Sequence, residues 1–545
     1  MKTKVLMVYP KVPPTFWNYD HVLHYYNRKA ALPPVGLLTV AAMLPNNYEP
    51  KIVDLNTSKL RDKDIKWADL VFLSAMLIQK DSLTEVVALC KKHNKAVVAG
   101  GPMPLSIYTV YRDIVDVDYE NIDVDDYFDA INARGRWKDY ENVAFFKDLR
   151  GIDHFVLNEG EITLPKFLRD YEAGKPKKLY WDTTKPDITQ TPVLRYDLLD
   201  VELYSSLSLQ FSRGCPYDCE FCDIIEMFGR KHRSKHPEQF IKEIDMVYKT
   251  GFRGIIFIVD DNFVGNKKKT KVLLRRIIEW QNAHHYPFQF YTEASIDLAY
   301  DEELLDLMVE AGFFMVFIGI ESPDTNSLRL VHKNQNLRQD LLESVKKIQS
   351  KGLAVTGGFI IGFDTDTEKI FQQQIDFIKE AGIPVAMVGL LAAMPNTQLY
   401  RRLRGEKRII GLGYHTGNNV DIALNFHTKI PRKTLVEGYQ GVLSELYGSP
   451  RSYLDNCLTM LKHMPQESFL SGKVKFTGKQ KFRRIKAILM FMLINAFTPY
   501  GIRFTGYLFK IGKVNKGQII QALLWGIAGL HFHKIGKKII QQKVE

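Results

Sequence analysis

Three of the five cysteines in this 545-residue chain fall within one short run, Cys215-Pro216-Tyr217-Asp218-Cys219-Glu220-Phe221-Cys222. Cys90 and Cys457 stand alone. Thiolates at C-x3-C-x2-C spacing can converge on one inorganic centre, and three ligands in place of four leave one metal position open to a small molecule. A buried centre of that kind can bind and reduce what it holds. Zinc is the other reading of clustered thiols, and it takes four protein ligands, often as two separated C-x2-C pairs. No second pair exists, so His232 or His236 is the available fourth ligand.

Such a centre needs a scaffold. From residue 206 to about 399, short apolar runs alternate with helical patterns. Strands are expected at 206–212, 254–259, 289–292, 315–319, 354–361 and 386–391, with helices at 237–250, 270–283, 301–311, 337–351 and 367–381. Six such units predict a partial (β/α)6 barrel, a fold whose function gathers at the carboxyl ends of its strands. The cysteine run follows the first strand. Asp260-Asp261-Asn262 ends the second, Glu293 the third, and Glu321-Ser322 follows the fourth. Gly357-Gly358 and Gly362-Phe363 cover the fifth, where paired glycines let backbone approach a ligand.

Residues 1–180 show a second βα rhythm. Strands at 5–9, 51–55, 70–74, 96–99 and 155–157, with helices at 34–44 and 82–92, predict a parallel sheet covered on both faces. Its ligand loops lie beyond the strand ends, at 10–17, 56–58, Ser74-Ala75-Met76 and Gly100-Gly101-Pro102. An acidic, aromatic insertion spans about 107–147, residues 181–205 read as a linker, and 400–467 as a helical extension. The run Gly411-Leu412-Gly413-Tyr414-His415-Thr416-Gly417 lacks G-x-G-x-x-G spacing and reads as a turn or substrate loop. The opening apolar run is too short for a signal peptide and reads as a buried strand.

The net charge of +12 is unevenly spread, because residues 468–544 hold twelve Lys, three Arg and no acidic residue. The rest of the chain is slightly acidic, which excludes a general nucleic-acid binder. Few cysteines and no disulfide framework indicate a reducing compartment.

The cysteine spacing, with Phe221 before the last thiol, resembles the signature of the radical S-adenosylmethionine (SAM) enzymes. That resemblance implies a [4Fe–4S] cluster on Cys215, Cys219 and Cys222, with SAM on the fourth iron. It implies SAM contacts at Asp260, Asp261, Asn262, Glu293, Glu321, Ser322, Gly358 and Gly362, and an adenine contact through the Phe221 backbone. The N-terminal region, with Val98-Ala99-Gly100-Gly101-Pro102 and Asn158-Glu159-Gly160-Glu161, resembles the Rossmann-like cobalamin-binding domain of B12-dependent members. Ser74, Gly100 and Gly101 are the implied cobalamin contacts. The D-x-H-x-x-G motif that supplies a cobalt-ligating histidine in many such domains is absent.

Pro395-Asn396-Thr397 and Asp421-Ile422-Ala423-Leu424-Asn425-Phe426 resemble the C-terminal extension of hopanoid C-methylases and related lipid-modifying enzymes. The expected activity is C-methylation of an unactivated lipid carbon, with flavodoxin or ferredoxin as electron donor. Ring formation or oxidative cyclisation without methyl transfer is the second expectation, and a metal-stabilised, membrane-associated binding protein the third. In the tail, basic residues flank the apolar runs 487–497 and 519–525, each shorter than a bilayer-spanning helix. Such helices suit the interface of an anionic membrane. The expected location is the cytoplasm, at the inner face of the membrane.

Overall fold

The computed structural model describes residues 2–106, 151–410, 417–418, 420–467, 469, 473 and 478–542. The insertion at 107–147 and nearly all of the 411–417 run lie outside them. The chain forms two compact units that exchange segments. The first comprises Met1–Pro13, Pro34–Asp200 and Ala393–Asn418; the second comprises Pro14–Pro33, Val201–Ala392 and Asn419–Glu545.

The first unit runs β1 (Thr3–Tyr9), α1 (Val35–Met43), β2 (Tyr48–Asp54), α2 (Asp62–Trp67), β3 (Leu70–Ser74), α3 (Lys80–Lys92), β4 (Ala96–Gly100), β5 (His154–Val156), α4 (Gly160–Glu172) and β6 (Leu179–Tyr180). The sheet order is β2-β1-β3-β4-β5-β6, and its pairings are parallel. Alternate residues of each strand enter opposite cores. Leu6, Val8, Val71 and Leu73 pack on one face, and Val5, Met7, Leu70 and Phe72 on the other. Burial on both faces explains why these strands read as continuous apolar runs. The order reverses between β1 and β3, the place where doubly wound sheets bind ligands.

The second unit begins with β7 (Ser206–Leu209) and a short hairpin, β8 (Ser212–Arg213) with β9 (Arg233–Ser234), that encloses α5 (Ile224–Phe228). It continues α6 (Pro237–Lys249), β10 (Gly254–Ile258), α7 (Lys267–Ala283), β11 (Phe288–Ala294), α8 (Glu302–Ala311), β12 (Phe313–Glu321), α9 (Thr325–Leu330), α10 (Leu341–Ser350), β13 (Ala354–Ile361), α11 (Lys369–Ala381) and β14 (Ala386–Leu390). The six strands pair in parallel in the order β7-β10-β11-β12-β13-β14, the expected open half-barrel. Successive units share one device. Gln281, near the end of α7, donates to the carbonyls of Phe288 and Ala311. Gln349, near the end of α10, donates to those of Ala381 and Gly382. Each buried amide satisfies a carbonyl left unpaired at the end of the following helix, and Gln281 also reaches one at the start of β11.

After α12 (Gln398–Gly405), the helices α13 (Arg432–Tyr447), α14 (Pro450–His463), α15 (Gly478–Asn495), α16 (Pro499–Val514) and α17 (Ile519–Ile540) complete the chain. Among the described residues, no helix is long and apolar enough to cross a membrane. The run at 519–525 is divided, with Ile519 and Ile520 exposed at the start of α17. Ala522 and Trp525 are buried, and so are Ile527, Leu530, Phe532 and Ile535 further along α17. The helix is a packing element of the second unit.

Tyr447 covers the open edge of the barrel sheet at β14. Its hydroxyl accepts from the Ala386 N–H at 2.8 Å and donates to the Ala386 carbonyl at 2.8 Å. A buried edge group left without a partner costs about 1–3 kcal/mol. Tyr447→Phe is therefore expected to lower the unfolding free energy by that amount, read by urea titration as a lower midpoint at unchanged slope.

Candidate active site

The cysteine loop is built by the β8–β9 hairpin, which pinches both ends of residues 214–232 together. Gly214 opens the loop with φ of +86°, and a Cβ there would fall 2.7 Å from the Gly229 carbonyl oxygen and 2.8 Å from that of Lys231. Only glycine fits both the backbone angle and the space.

Cys215, Cys219 and Cys222 are free thiols. Burial pushes the Cys215 thiol up. It pushes Cys222 up further, helped by Asp223 and the two neighbouring thiols. The three therefore sense one another, yet no group of His, Cys, Asp or Glu among the described residues is close enough to hold a metal ion. A cubane cluster seats each thiolate on a different iron and accepts that wider spacing. Two amides aim at the sulfurs. Asn262 Nδ2 donates to Cys215 Sγ at 3.7 Å, and Gln335 Nε2 donates to Cys219 Sγ at 3.5 Å. Such N–H···S bonds stabilise thiolate and tune a cluster's potential. The donor set fits an iron–sulfur cluster. His232 lies within the same loop, pushed down to about 4 by burial, whereas His236 precedes α6.

Carboxyl groups gather at the ends of β10 and β11. Asp260 is 1% exposed and accepts from Phe211 N at 2.7 Å and from the Ser212 hydroxyl. It fastens the β7–β8 turn. Asp261 accepts from Gly214 N at 3.3 Å and so orders the entry to the cysteine loop. Asn262, besides its bond to Cys215, accepts from the Ser295 backbone N–H. Burial raises Asp260 to about 6 and Asp261 to about 7. Burial, with the charges of Asp261 and Asp260, raises Glu293 to about 8. Close carboxyl groups resist joint ionisation, and a cation between them relieves the repulsion.

Because folding raises the Glu293 pKa, the folded state holds that proton more tightly than the unfolded chain. This contribution is favourable at low pH and is lost as pH climbs toward 8. Without SAM, the thermal midpoint is expected to fall across that range, and Glu293→Gln to flatten the decline. An unaltered slope in the variant contradicts the assignment.

Glu321 ends β12 with φ of +63°, an uncommon angle for a residue with a Cβ, just after a register shift in the β12–β13 pairing. That bend directs its carboxylate onto Lys333 Nζ at 2.6 Å. Burial works to lower the Lys333 pKa, but Glu321 and then Cys219 outweigh it and raise it. Lys333 Nζ also lies 5.8 Å from the centroid of the Phe221 ring. The sequence reading left Glu321 open to a ribose; the structure gives it a lysine partner. Ser322 is buried and its hydroxyl accepts from Asp324 N at 3.1 Å. Gly358 pairs with Gly319 on the neighbouring strand. The Gly362 and Phe363 N–H groups both donate to Asp366 Oδ2, at 2.8 and 3.0 Å.

The loop from residue 331 to 337 was not foreseen as part of the site. Its Val331 carbonyl accepts from Glu220 N at 3.0 Å, and it supplies Gln335 to Cys219 and Lys333 to Glu321. Its only signal in the sequence is the polar run His332-Lys333-Asn334-Gln335-Asn336, which looks like a surface turn.

In the first unit, Ser74, Gly100 and Gly101 meet at the ends of β3 and β4. A Cβ on Gly101, whose φ is +92°, would fall 2.7 Å from Ser74 Oγ. A Cβ on Gly100 would fall 2.8 Å from the Val156 carbonyl oxygen, so both glycines let the strand ends pack closely at the carboxyl edge of the sheet, where parallel sheets bind their ligands.

Comparison with known proteins agrees with this geometry. Residues 209–378 match the Radical SAM superfamily, and residues 397–545 match a domain of unknown function, DUF4070. An uncharacterized methyltransferase of Synechocystis sp. is 42% identical over 453 residues, covering 83% of this chain and 77% of the relative. The hopanoid C-2 methylase of Rhodopseudomonas palustris (strain TIE-1) is 30% identical over 536 residues, covering 97% and 92%. In fold, the chain is similar to the cobalamin-dependent SAM radical enzyme OxsB with aqua-cobalamin and SAM bound, with a TM-score of 0.58 at 15% identity over 98% of this chain and 80% of that one. The three-thiol loop beside a six-stranded half-barrel, and a hopanoid C-2 methylase alike over nearly its full length, place the chain in the radical SAM superfamily, among the methyltransferases that include hopanoid C-2 methylase.

Proposed function

We propose that this enzyme is a cobalamin-dependent radical SAM C-methyltransferase acting on an unactivated carbon of a lipid such as a hopanoid. The observation that carries the reading is the end-to-end likeness to a hopanoid C-2 methylase, which includes the C-terminal helices as well as the barrel. An unactivated C–H bond has no acidic proton for a general base, so a radical route is required. When bound, the cluster supplies an electron that cleaves SAM to methionine and a hydrogen-abstracting 5′-deoxyadenosyl radical, and cobalamin supplies methyl transfer from a second SAM.

Within this reading Cys215, Cys219 and Cys222 hold the cluster, and Asn262 and Gln335 fix two of the sulfurs. Asp261 and Glu293 favour the SAM ammonium. Lys333, held by Glu321, presents positive charge toward the SAM carboxylate. Phe221, Gly358 and Gly362 shape the adenosine side, with Ser322 supporting the β12 end and Asp260 supporting the loop from beneath. Ser74, Gly100 and Gly101 form the cobalamin cradle. A flavodoxin or ferredoxin delivers the electron, and the enzyme works in the cytoplasm at the inner face of an anionic membrane, where its lipid resides.

The test is anaerobic reconstitution with iron, sulfide, cobalamin and a strong reductant, followed by incubation with SAM and a hopanoid-containing lipid extract. Deoxyadenosine and S-adenosylhomocysteine in equal amounts, with a lipid heavier by one CH2, support the proposal. Deoxyadenosine alone replaces it with a ring-forming or oxidative radical reaction.

A further inference from the structure

Helix α15 is apolar on opposite sides. One stripe, Ala487, Phe491 and Asn495, is buried, with the Phe491 ring 5.3 Å from that of Tyr25 and 5.0 Å from that of Phe504 between centroids. Asn495 Nδ2 closes this contact by donating to the Tyr25 hydroxyl at 3.0 Å. The other stripe, Phe482, Ile485, Leu489 and Leu493, follows helical spacing and is bare, with Leu493 77% exposed. Phe497, at the corner into α16, is 97% exposed, and Phe509 on α16 is 76% exposed. A helix apolar all round belongs in apolar surroundings, and protein provides only half of them here.

The rim identifies the missing half. Lys481, Lys486, Arg503 and Lys513 are exposed beside the bare stripe, and no acidic residue occurs from 468 to 544. Glu202 and Asp455 reach this region from other elements but are paired with Arg483 and Lys510, so two copies of the face still present net positive charge and repel each other. An anionic bilayer accepts both its charge and its apolar ridge.

We propose that the exposed face of α15 and α16 is a docking surface for an anionic lipid bilayer, lying in the interface without crossing it. It deepens the lipid reading above, which it rests on for its purpose, although exposure and charge carry it physically. Most of α17 from Ala522 onward is packed against protein and takes no part, whereas Ile519 and Ile520 at its start are exposed.

The full chain is floated with vesicles of phosphatidylcholine alone or mixed with phosphatidylglycerol, without SAM or reductant. Binding to the mixed vesicles, weakened by salt, is expected. Leu493→Ser with Phe497→Ser is expected to weaken it at least about tenfold, with an unchanged near-UV circular dichroism spectrum. Lys481→Ala with Lys486→Ala is expected to weaken binding only to the anionic vesicles. Equal binding to both vesicle types, or undiminished binding of the serine variant, overturns the proposal. So does self-association that the serine variant abolishes, which assigns the face to a second copy. Vesicle binding without lipid methylation sinks the substrate reading and leaves docking intact; methylation of detergent-dispersed lipid without vesicle binding does the reverse.

Discussion

Replacing Cys222 with alanine is expected to reduce deoxyadenosine formation to below about a thousandth of the parent rate, about 4 kcal/mol in barrier terms. Cys222 is one of three thiols in the loop pinched by the β8–β9 hairpin, and no other Cys lies near enough in sequence to replace it. Burial and the neighbouring charges keep its thiol protonated in the metal-free protein, so iron must draw the proton off. With two thiolates left, the loop cannot hold a stable cluster, and iron and sulfide content fall with activity. The metal-free fold is expected to survive, because the backbone partner of the thiol, the Ile224 N–H, lies two residues away in the same loop. Iron and sulfide analysis beside nucleoside chromatography separates the outcomes. A variant retaining four irons and SAM cleavage removes the central assignment.

Lys333→Met is expected to have the next largest effect, on two quantities at once. Nζ is 2.6 Å from Glu321 Oε1, with both side chains about nine-tenths buried. Removing one partner of such a pair strands the other charge and costs about 3–5 kcal/mol. The lost positive charge also weakens SAM binding beside Phe221. The double variant Lys333→Met with Glu321→Leu separates the two effects. Stability returns toward the parent, since a buried pair replaced by apolar groups is often neutral, but SAM affinity does not. Thermal melting and equilibrium dialysis of SAM check this. Recovery of both in the double variant makes Lys333 purely structural.

Much of the architecture is legible in the chain because parallel strands buried on both faces leave apolar runs of a recognisable length. Strands β3 and β13 coincide with the sequence expectation, and the others shift by a few residues at their ends. The two-residue β6 was missed because Leu179–Tyr180 is too short to carry a period. Residues 14–33 join the second unit through scattered contacts, such as the Trp17 ring donating to Met387 Sδ at 3.1 Å and the Ala30–Tyr204 bridge. Contacts between residues so far apart in sequence leave no local pattern.

The site shows the same division. The cysteines announce themselves by spacing, and the acidic residues by their place at strand ends. Lys333 and Gln335 do not, because a lysine and an amide in a polar turn look alike whether they face water or a thiol. Asp260 shows the converse: a carboxylate at a strand end binds backbone as readily as ligand, and its hydrogen bonds to Phe211 N and Ser212 have no signature in the sequence. In the tail, composition indicates basic apolar helices, but only packing separates the buried α17 from the bare stripe of α15.

The most direct test of the account is the fate of the SAM methyl group. The reconstituted enzyme is given cobalamin, reductant, a hopanoid and SAM carrying a trideuterated methyl group, and the lipid is read by mass spectrometry. The account predicts one trideuterated methyl on carbon, with one deoxyadenosine formed per lipid modified and no transfer when cobalamin is withheld. Deoxyadenosine formation with an altered lipid that carries no label, or labelled lipid made without cobalamin, contradicts it.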